Sequence, residues 1–381
     1  KKILVINTKY KIFGGEDSNI KDELSFLKKY YIVDYLEFNN SERLSFSDLF
    51  GFLFGSNPKS NNILKQKIDS FNPDVAYVHN TWFKANLGIF KILNKAGIKT
   101  LLKIHNFRFN CTKTFSFKKH LENNNICPGC GMKANSFKYF NKYFEDSVLK
   151  SLFVNLYGKK YIDILKKNNL KILVLNIFYR DFMQSLGIST KNIEIVNNPI
   201  SIDNSNVYNS KSDYVVYAGS LSDQKGTEEL IESWKNSDLK LKLLMIGTSN
   251  LSYYSRKYNQ ISNVEFINKL ENEKVLDYIK DARAVITATK MYEGQPKLLC
   301  EASGLGVPSI YPSFGGMDEY FPNNYPLSFE QYNYIDLEKK ILELTNFEFL
   351  ETCAKNIEQH QINNFDEKIL YEKLKKIIDN L

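Results

Sequence analysis

Short apolar runs, each closed by polar residues, recur along the chain and alternate with stretches of helical period. In the first half, Ile3 to Asn7, Val75 to His79, Thr100 to His105 and Ile172 to Leu175 read as strands. Gly14-Gly15 follows the first of them. Glu16 to Tyr30 then places Ile20, Leu24 and Leu27 on one helical face. The turn-forming Val196-Asn197-Asn198-Pro199-Ile200 interrupts the pattern and forbids helix across it. A second series of strands follows: Tyr214 to Gly219, Lys242 to Gly247, Val264 to Ile267, Ala284 to Ala288 and Ser309 to Tyr311. Phe365 to Leu381 closes the chain as a periodic helix carrying Ile369, Leu370, Leu374, Ile377 and Ile378. Strand and helix alternating twice, joined near residue 200, predict an α/β chain of two Rossmann-like domains facing each other across a cleft.

The expected domains are 1–198, 199–360 and a tail helix, 361–381, packed back on the first. Between residues 106 and 146 the periodicity lapses into an aromatic, Lys-rich, Cys-containing insertion, where loops and a short hairpin or helix are expected. The longest apolar stretches, such as Ser151 to Tyr157 and Asp48 to Gly55, fall short of the roughly 18 to 20 apolar residues of a membrane span. The apolar run of Lys1 to Asn7 is likewise too short for a signal peptide of about 7 to 15 apolar residues, so a cytoplasmic location is expected. Five cysteines, an odd number, fit a reducing compartment better than a disulfide scaffold.

Charge sharpens the division. Residues 1 to 198 hold 31 Lys or Arg against 16 Asp or Glu, whereas residues 199 to 381 hold 20 against 27. The basic half points to an anionic partner or to solvated helix faces. Only five basic residues are arginine, so the positive side is mostly lysine point charge.

The candidate chemistry lies where strands end. Gly14-Gly15 sits in the first strand-to-helix loop, where backbone amides can meet phosphate oxygens or simply turn. No G-x-G-x-x-G follows the first strand, which argues against a nicotinamide or flavin dehydrogenase. Tyr217 to Gly226 opens the second domain in the same way, with Gly219 and Ser220 in the turn and Lys225 at the mouth of a helix. An ammonium and a helix dipole aimed at one anion suit a diphosphate that gains charge as it leaves; a solvated lysine is the alternative. Glu293-Gly294-Gln295-Pro296-Lys297 places a carboxylate in a loop, a glycine where backbone can approach a ligand, and a proline in the first turn of a helix. Glu301 then lies about one turn into that helix. Both carboxylates can accept from sugar or ribose hydroxyls.

This constellation resembles the retaining glycosyltransferases of the GT-B fold, family GT4, which carry a glutamate, seven residues, glutamate element. Gly14-Gly15-Glu16 is similar to the family's N-terminal diphosphate loop, and His105 in Ile104-His105-Asn106 to its cleft histidine. Asn198-Pro199-Ile200 resembles its interdomain turn, Gly219 to Gly226 its Gly-Arg-Leu…Lys-Gly element, and Gly315 to Glu319 its Gly-Gly-x-x-Glu loop. The resemblance implies catalytic roles for His105, Glu293 and Lys225. It implies a donor site of Gly14, Gly15, Gly219, Ser220, Lys225, Glu293, Gly294, Gln295, Pro296, Lys297 and Glu301, with Arg108 and His105 on the acceptor side. A buried structural role is the alternative for His105. Ser220 stands where the family has arginine, which leaves Lys297 or another basic side chain to supply the second charge. The implied partners are a UDP- or GDP-sugar and a glycan or lipid-linked acceptor, with no cofactor required for catalysis and no nucleic acid.

Two segments stand outside this scheme. Cys111 with Cys127-Pro128-Gly129-Cys130 has the form of a zinc knuckle, with His105, His120 or Asp146 near enough to be a fourth ligand. Structural zinc and free thiols in a packed loop both remain open. Leu44 to Phe54 is unusually aromatic, and core packing, an acceptor lid or a shallow contact with an anionic membrane surface are its three readings. The function expected is sugar transfer in surface polysaccharide or glycolipid assembly, in the cytoplasm or peripheral at the inner face of the membrane. A sugar-nucleotide epimerase of the same fold and a basic nucleic-acid-binding protein are the other classes considered.

Overall fold

A computed structural model describes residues 1–9, 15–40, 42, 45–105, 148–167, 170–202, 207–247 and 249–381. The chain forms two compact units: the first runs to Pro199 and takes up Leu370–Leu381, and the second runs from Ile200 to Ile369. In the first, six strands are β1 (Lys2–Lys9), β2 (Ile32–Asn39), β3 (Val75–Val78), β4 (Lys99–Lys103), β5 (Leu170–Val174) and β6 (Ile193–Ile195). Between them run α1 (Gly15–Tyr30), α2 (Phe46–Phe54), α3 (Pro58–Phe71), α4 (Gly88–Lys95), α5 (Val148–Leu165) and α6 (Ile177–Ser185). The sheet order is β2-β1-β3-β4-β5-β6 and every pairing is parallel. Parallel strands covered on both faces need continuous apolar runs, and Ile3 to Ile6 and Val75 to Val78 are wholly buried.

The second unit repeats the plan. Its strands are β7 (Tyr214–Ala218), β8 (Lys242–Gly247), β9 (Val264–Asn268), β10 (Ala284–Ile286), β11 (Ser309–Ser313) and β12 (Ser328–Glu330). Its helices are α7 (Thr227–Asn236), α8 (Leu251–Lys257), α9 (Asn272–Lys280), α10 (Lys297–Gly304), α11 (Tyr334–Leu342) and α12 (Phe347–Phe365). The order is β12-β11-β10-β7-β8-β9, again parallel throughout. The chain therefore reverses its direction of growth between β1 and β3 in one sheet and between β7 and β10 in the other. Ligands of open α/β sheets bind outside the strand carboxyl ends at such reversals.

The tail differs from its expected form. Phe365 ends α12 rather than opening the last helix, and Gln361 of α12 is buried with its amide donating to the Tyr320 carbonyl at 2.9 Å. Asp366 has extended backbone (φ −55°, ψ 144°), and α13 (Glu367–Asp379) begins after it. Leu370, Leu374 and Ile378 of α13 are buried in the first unit's core with Ile3, Val5, Phe26, Tyr77 and Val196. Ile369 points away and is 42% exposed. Tyr371 stacks on Tyr30 with ring centroids 4.0 Å apart, and Lys1 Nζ donates to the Ile378 carbonyl at 2.8 Å.

Among the described residues, no helix is long and apolar enough to cross a membrane. The insertion at 106–146 lies outside the described residues, and with it Arg108, Cys111, Cys127 and Cys130; Gly14 does too.

Candidate active site

In the second unit the reversal point is built from the loops after β7 and β10. Gly219 leaves β7 with its N–H donating to the Ile246 carbonyl. A Cβ on Gly247, at the end of β8, would collide with the Gly219 carbonyl, so the two strand ends need that glycine to lie close. Asp223 to Lys225 then form a single 3₁₀ turn, and Gly226, at φ +63°, starts α7. Both its left-handed backbone and its contact with the Ala288 carbonyl exclude a side chain there. The turn carrying Lys225 is thereby pressed onto the loop after β10.

That loop delivers Glu293, whose Oε1 accepts from Lys225 Nζ and from Thr289 Oγ1. The ion pair is partly open to solvent, with side chains 28% and 19% exposed. Lys290 clamps the same loop from behind: its Nζ reaches Asp223 at 2.6 Å and Glu229 at 2.8 Å, and its N–H donates to the Gln224 carbonyl. Burial alone would pull this ammonium down, but the two carboxylates outweigh it and hold its pKa above the usual value. The Gly294 carbonyl accepts from Tyr320 at 2.9 Å. Gly315, at φ +65°, packs so tightly on Tyr292 that a Cβ would lie 3.1 Å from the ring.

Pro296 stands one position earlier than expected, as the N-cap of α10 rather than its first turn, and its ring makes no capping hydrogen bond. A helix start of this kind is a place where an anion or hydroxyl oxygen can meet backbone amides. Lys297 lies 3.5 Å from Glu301, which also accepts from Asn272 at 3.0 Å. Ser220 contacts Ser249 through their hydroxyls at 3.0 Å. Gln295 is buried. The structure therefore brings Gly219, Lys225, Glu293 and Gly294 to one reversal point, and puts Lys297 beside Glu301 on α10.

A second cluster occupies the carboxyl end of the first sheet. His79 follows β3 and His105 follows β4, and His79 Nδ1 and His105 Nε2 share a hydrogen bond of 2.8 Å. Glu23 of α1 lies beneath them, with Oε2 4.0 Å from His79 Nδ1. Its Oε1 accepts from Tyr77 and from Lys103, both at 2.6 Å, and Lys103 also donates to the Asn197 carbonyl. Burial, then the neighbouring positive charge, keeps His79 well below the ordinary imidazole pKa, and burial followed by His79 and Lys103 does the same to His105. Both rings are neutral at pH 7. Glu23, His79 and His105 are metal-ligand types with donor atoms within 4.8 Å of one another. The buried Lys103 ammonium on the same carboxylate opposes a metal cation there. Gly15 opens α1, and among the described residues nothing lies within 4 Å of where its Cβ would be.

The comparisons agree with this geometry. Residues 200–361 match the family described as glycosyl transferases group 1. The match falls within the second unit. A curated relative, the amylovoran biosynthesis glycosyltransferase AmsD of Erwinia amylovora, is 30% identical over 152 residues. The match covers 37% of this chain and 42% of AmsD, so the chain spans under half the length of the curated relative it matches. Over the whole chain the fold is that of solved GT-B proteins. Sucrose-phosphate synthase from Thermosynechococcus elongatus superposes with a TM-score of 0.70 at 13% identity, covering 99% of this chain and 98% of that one. Anabaena Alr3699/HepE, solved in complex with UDP and glucose, gives 0.69 at 13% identity with 100% of both chains covered.

Two residues of the second unit escape a reading by motif. Thr289 and Lys290 carry no spacing signature, and Lys290 looks like any surface lysine until the strand order brings Asp223 and Glu229 to it. In the first unit Glu23 did leave a signal: it falls among Ile20, Leu24 and Leu27 on the apolar face of α1, where a charge requires a buried partner. His79 could have been found as the polar end of a wholly apolar strand. Cys300 and Cys353 are buried, and burial pushes both thiols up, Cys353 to about 11, so neither is a reactive nucleophile.

Proposed function

We infer that this chain is a retaining glycosyltransferase of the GT4 type, moving a sugar from a UDP- or GDP-sugar to a glycan or lipid-linked acceptor in polysaccharide or glycolipid assembly. The observation that carries the reading is the Lys225–Glu293 pair at the second reversal point, in the loop that leads into α10. A diphosphate suits it because the anion competes with Glu293 for the ammonium. Glu293, released, then needs donors, which the hydroxyls of a sugar supply. The name of AmsD supports sugar transfer in polysaccharide assembly, and the UDP and glucose held by HepE support this class of donor.

In this reaction the acceptor oxygen bonds to the anomeric carbon as the bond to the leaving phosphate breaks. Both events occur on one face of the sugar, and the acceptor proton passes to the departing phosphate oxygen. The protein supplies position and charge: Lys225 and the α10 amides stabilise the diphosphate as its charge grows, and Glu293 orients the sugar. Glu301 accepts from ribose hydroxyls. Ser220 brings no cation, so Lys225 carries a larger share of that stabilisation than a paired arginine and lysine would leave it. His105 acts as a neutral hydrogen-bonding group toward donor or acceptor. The lysine excess of the first half favours an acceptor presented at the inner face of an anionic membrane.

The test is a thermal-shift and ligand-observed NMR series with UDP-, GDP- and ADP-sugars, followed by product analysis with acceptor present. One of the first two should bind, and Lys225→Ala should lower turnover by on the order of 10²-fold. No binding by any donor would overturn the assignment. A donor converted without an acceptor would mean an epimerase.

A further inference from the structure

Core packing, the most ordinary of the three readings of Leu44 to Phe54, accounts for one face of the segment. Phe52 is buried and stacks against Phe83 and Tyr157, with Trp82 edge-on at 5.2 Å. The opposite face does not pack. Phe46, Phe50 and Phe54 recur every four residues and are 93%, 55% and 62% exposed. Successive members of such a set drift by only about 40°, so they form one stripe.

The fold holds this stripe outward. Ser45 and Asp48 make a reciprocal capping box at the start of α2, and the left-handed Gly55 returns its N–H to the Gly51 carbonyl at 2.7 Å. Asp48, the one acid on α2, is buried and accepts from Asn57 at 2.8 Å. A Cβ on Gly51 would lie 2.8 Å from that of Asn57, so this helix face is seated too closely to rotate. Lysines flank the outward face. Lys59 is exposed at the start of α3, and Lys160 of α5 is exposed with its side chain 3.6 Å from where a Gly55 Cβ would stand. Leu156, one turn before Lys160 on the same face of α5, is 43% exposed and adds to the apolar surface.

We propose that α2 is the membrane-docking element of this chain, laying Phe46, Phe50 and Phe54 into the interface of an anionic bilayer while Lys59 and Lys160 meet lipid phosphates. Charge decides the occupant. The outward face of α2 carries no carboxylate, and aromatic rings between lysines match the boundary between headgroups and acyl chains. A second copy would bring two strongly basic halves together, which opposes self-association. The inference goes beyond the reaction assigned above and does not depend on it, because vesicle binding is read without turnover.

The experiment floats the full chain with vesicles of phosphatidylcholine alone or with about a third phosphatidylglycerol. The expected result is binding to the anionic vesicles that weakens steeply with salt. Phe46→Ser/Phe50→Ser/Phe54→Ser should reduce it at least tenfold with an unchanged circular dichroism spectrum and unchanged donor-induced thermal shift. Lys59→Glu/Lys160→Glu should reduce it severalfold on anionic vesicles and have little effect on neutral ones. Vesicle binding by the triple serine variant equal to the parent would overturn the proposal. So would a solution dimer that the same substitutions abolish, which would assign the stripe to a second copy.

Discussion

The two imidazoles of the first sheet make the sharpest residue-scale case. His79 and His105 touch each other, and among the described residues Glu23, Lys103 and Tyr77 are the charged or titratable groups around them. Their pKa values are held well below the ordinary 6.5 by burial, so the folded chain resists taking protons that the unfolded chain accepts. A depressed pKa means stability that is complete above about 6.5 and is lost as pH falls below it. Each imidazole should contribute on the order of 1 kcal/mol of lost stability per pH unit in that range. Urea midpoints between pH 7.5 and 5.5 should fall steeply for the parent and less steeply for His79→Asn. Parallel slopes would show that the pair does not govern the acid limb. The motif reading singled out His105 but passed over the buried ring that fixes its hydrogen bond, because the residues joining them lie 26 and more positions apart and meet only through strand order.

At the scale of elements, the candidate site depends on one loop being pinned to another. Lys290 ties the loop after β10 to the turn bearing Lys225, and its head is 7% exposed, whereas Asp223 is 61% exposed and Glu229 25%. Lys290→Met should therefore lower the unfolding free energy by about 1–3 kcal/mol and weaken donor binding, since Glu229 loses its partner in a confined place. Asp223→Asn removes a solvated contact and should cost less than about 1 kcal/mol. Chemical denaturation and donor titration of both variants check this, and equal effects would sink it. Strand patterning located every central strand of both sheets, because parallel strands buried on two faces leave uninterrupted apolar runs. The strands it missed, β2, β6 and β12, all lie at sheet edges. β2 carries Asp34 and Glu37 within the strand, and the other two are three residues long, so neither pattern nor length marks them. Pro296 was misplaced by one position because a proline before a helix is equally compatible with the cap and the first turn.

The whole molecule is threaded so that its last residues complete the core of its first unit. The helical period of the tail was legible in the sequence. The break at Asp366 was not, since the apolar spacing continues through it and only the extended backbone there separates α12 from α13. Leu374 is fully buried among Ile3, Val5, Tyr77 and Val196. Leu374→Ala should cost the first unit about 2–5 kcal/mol, the usual range for a truncated core leucine. Because two units need not unfold as one, the loss should be read by hydrogen exchange rather than by a single midpoint. Amides of β1, β3 and β4 should lose protection, while those of β7, β8 and β10 should keep it. Uniform loss across both sheets would mean that the chain unfolds as one cooperative body. Loss confined to α13 would mean that the tail can detach without loosening the sheet beneath it, and that the first core is complete without its last twelve residues.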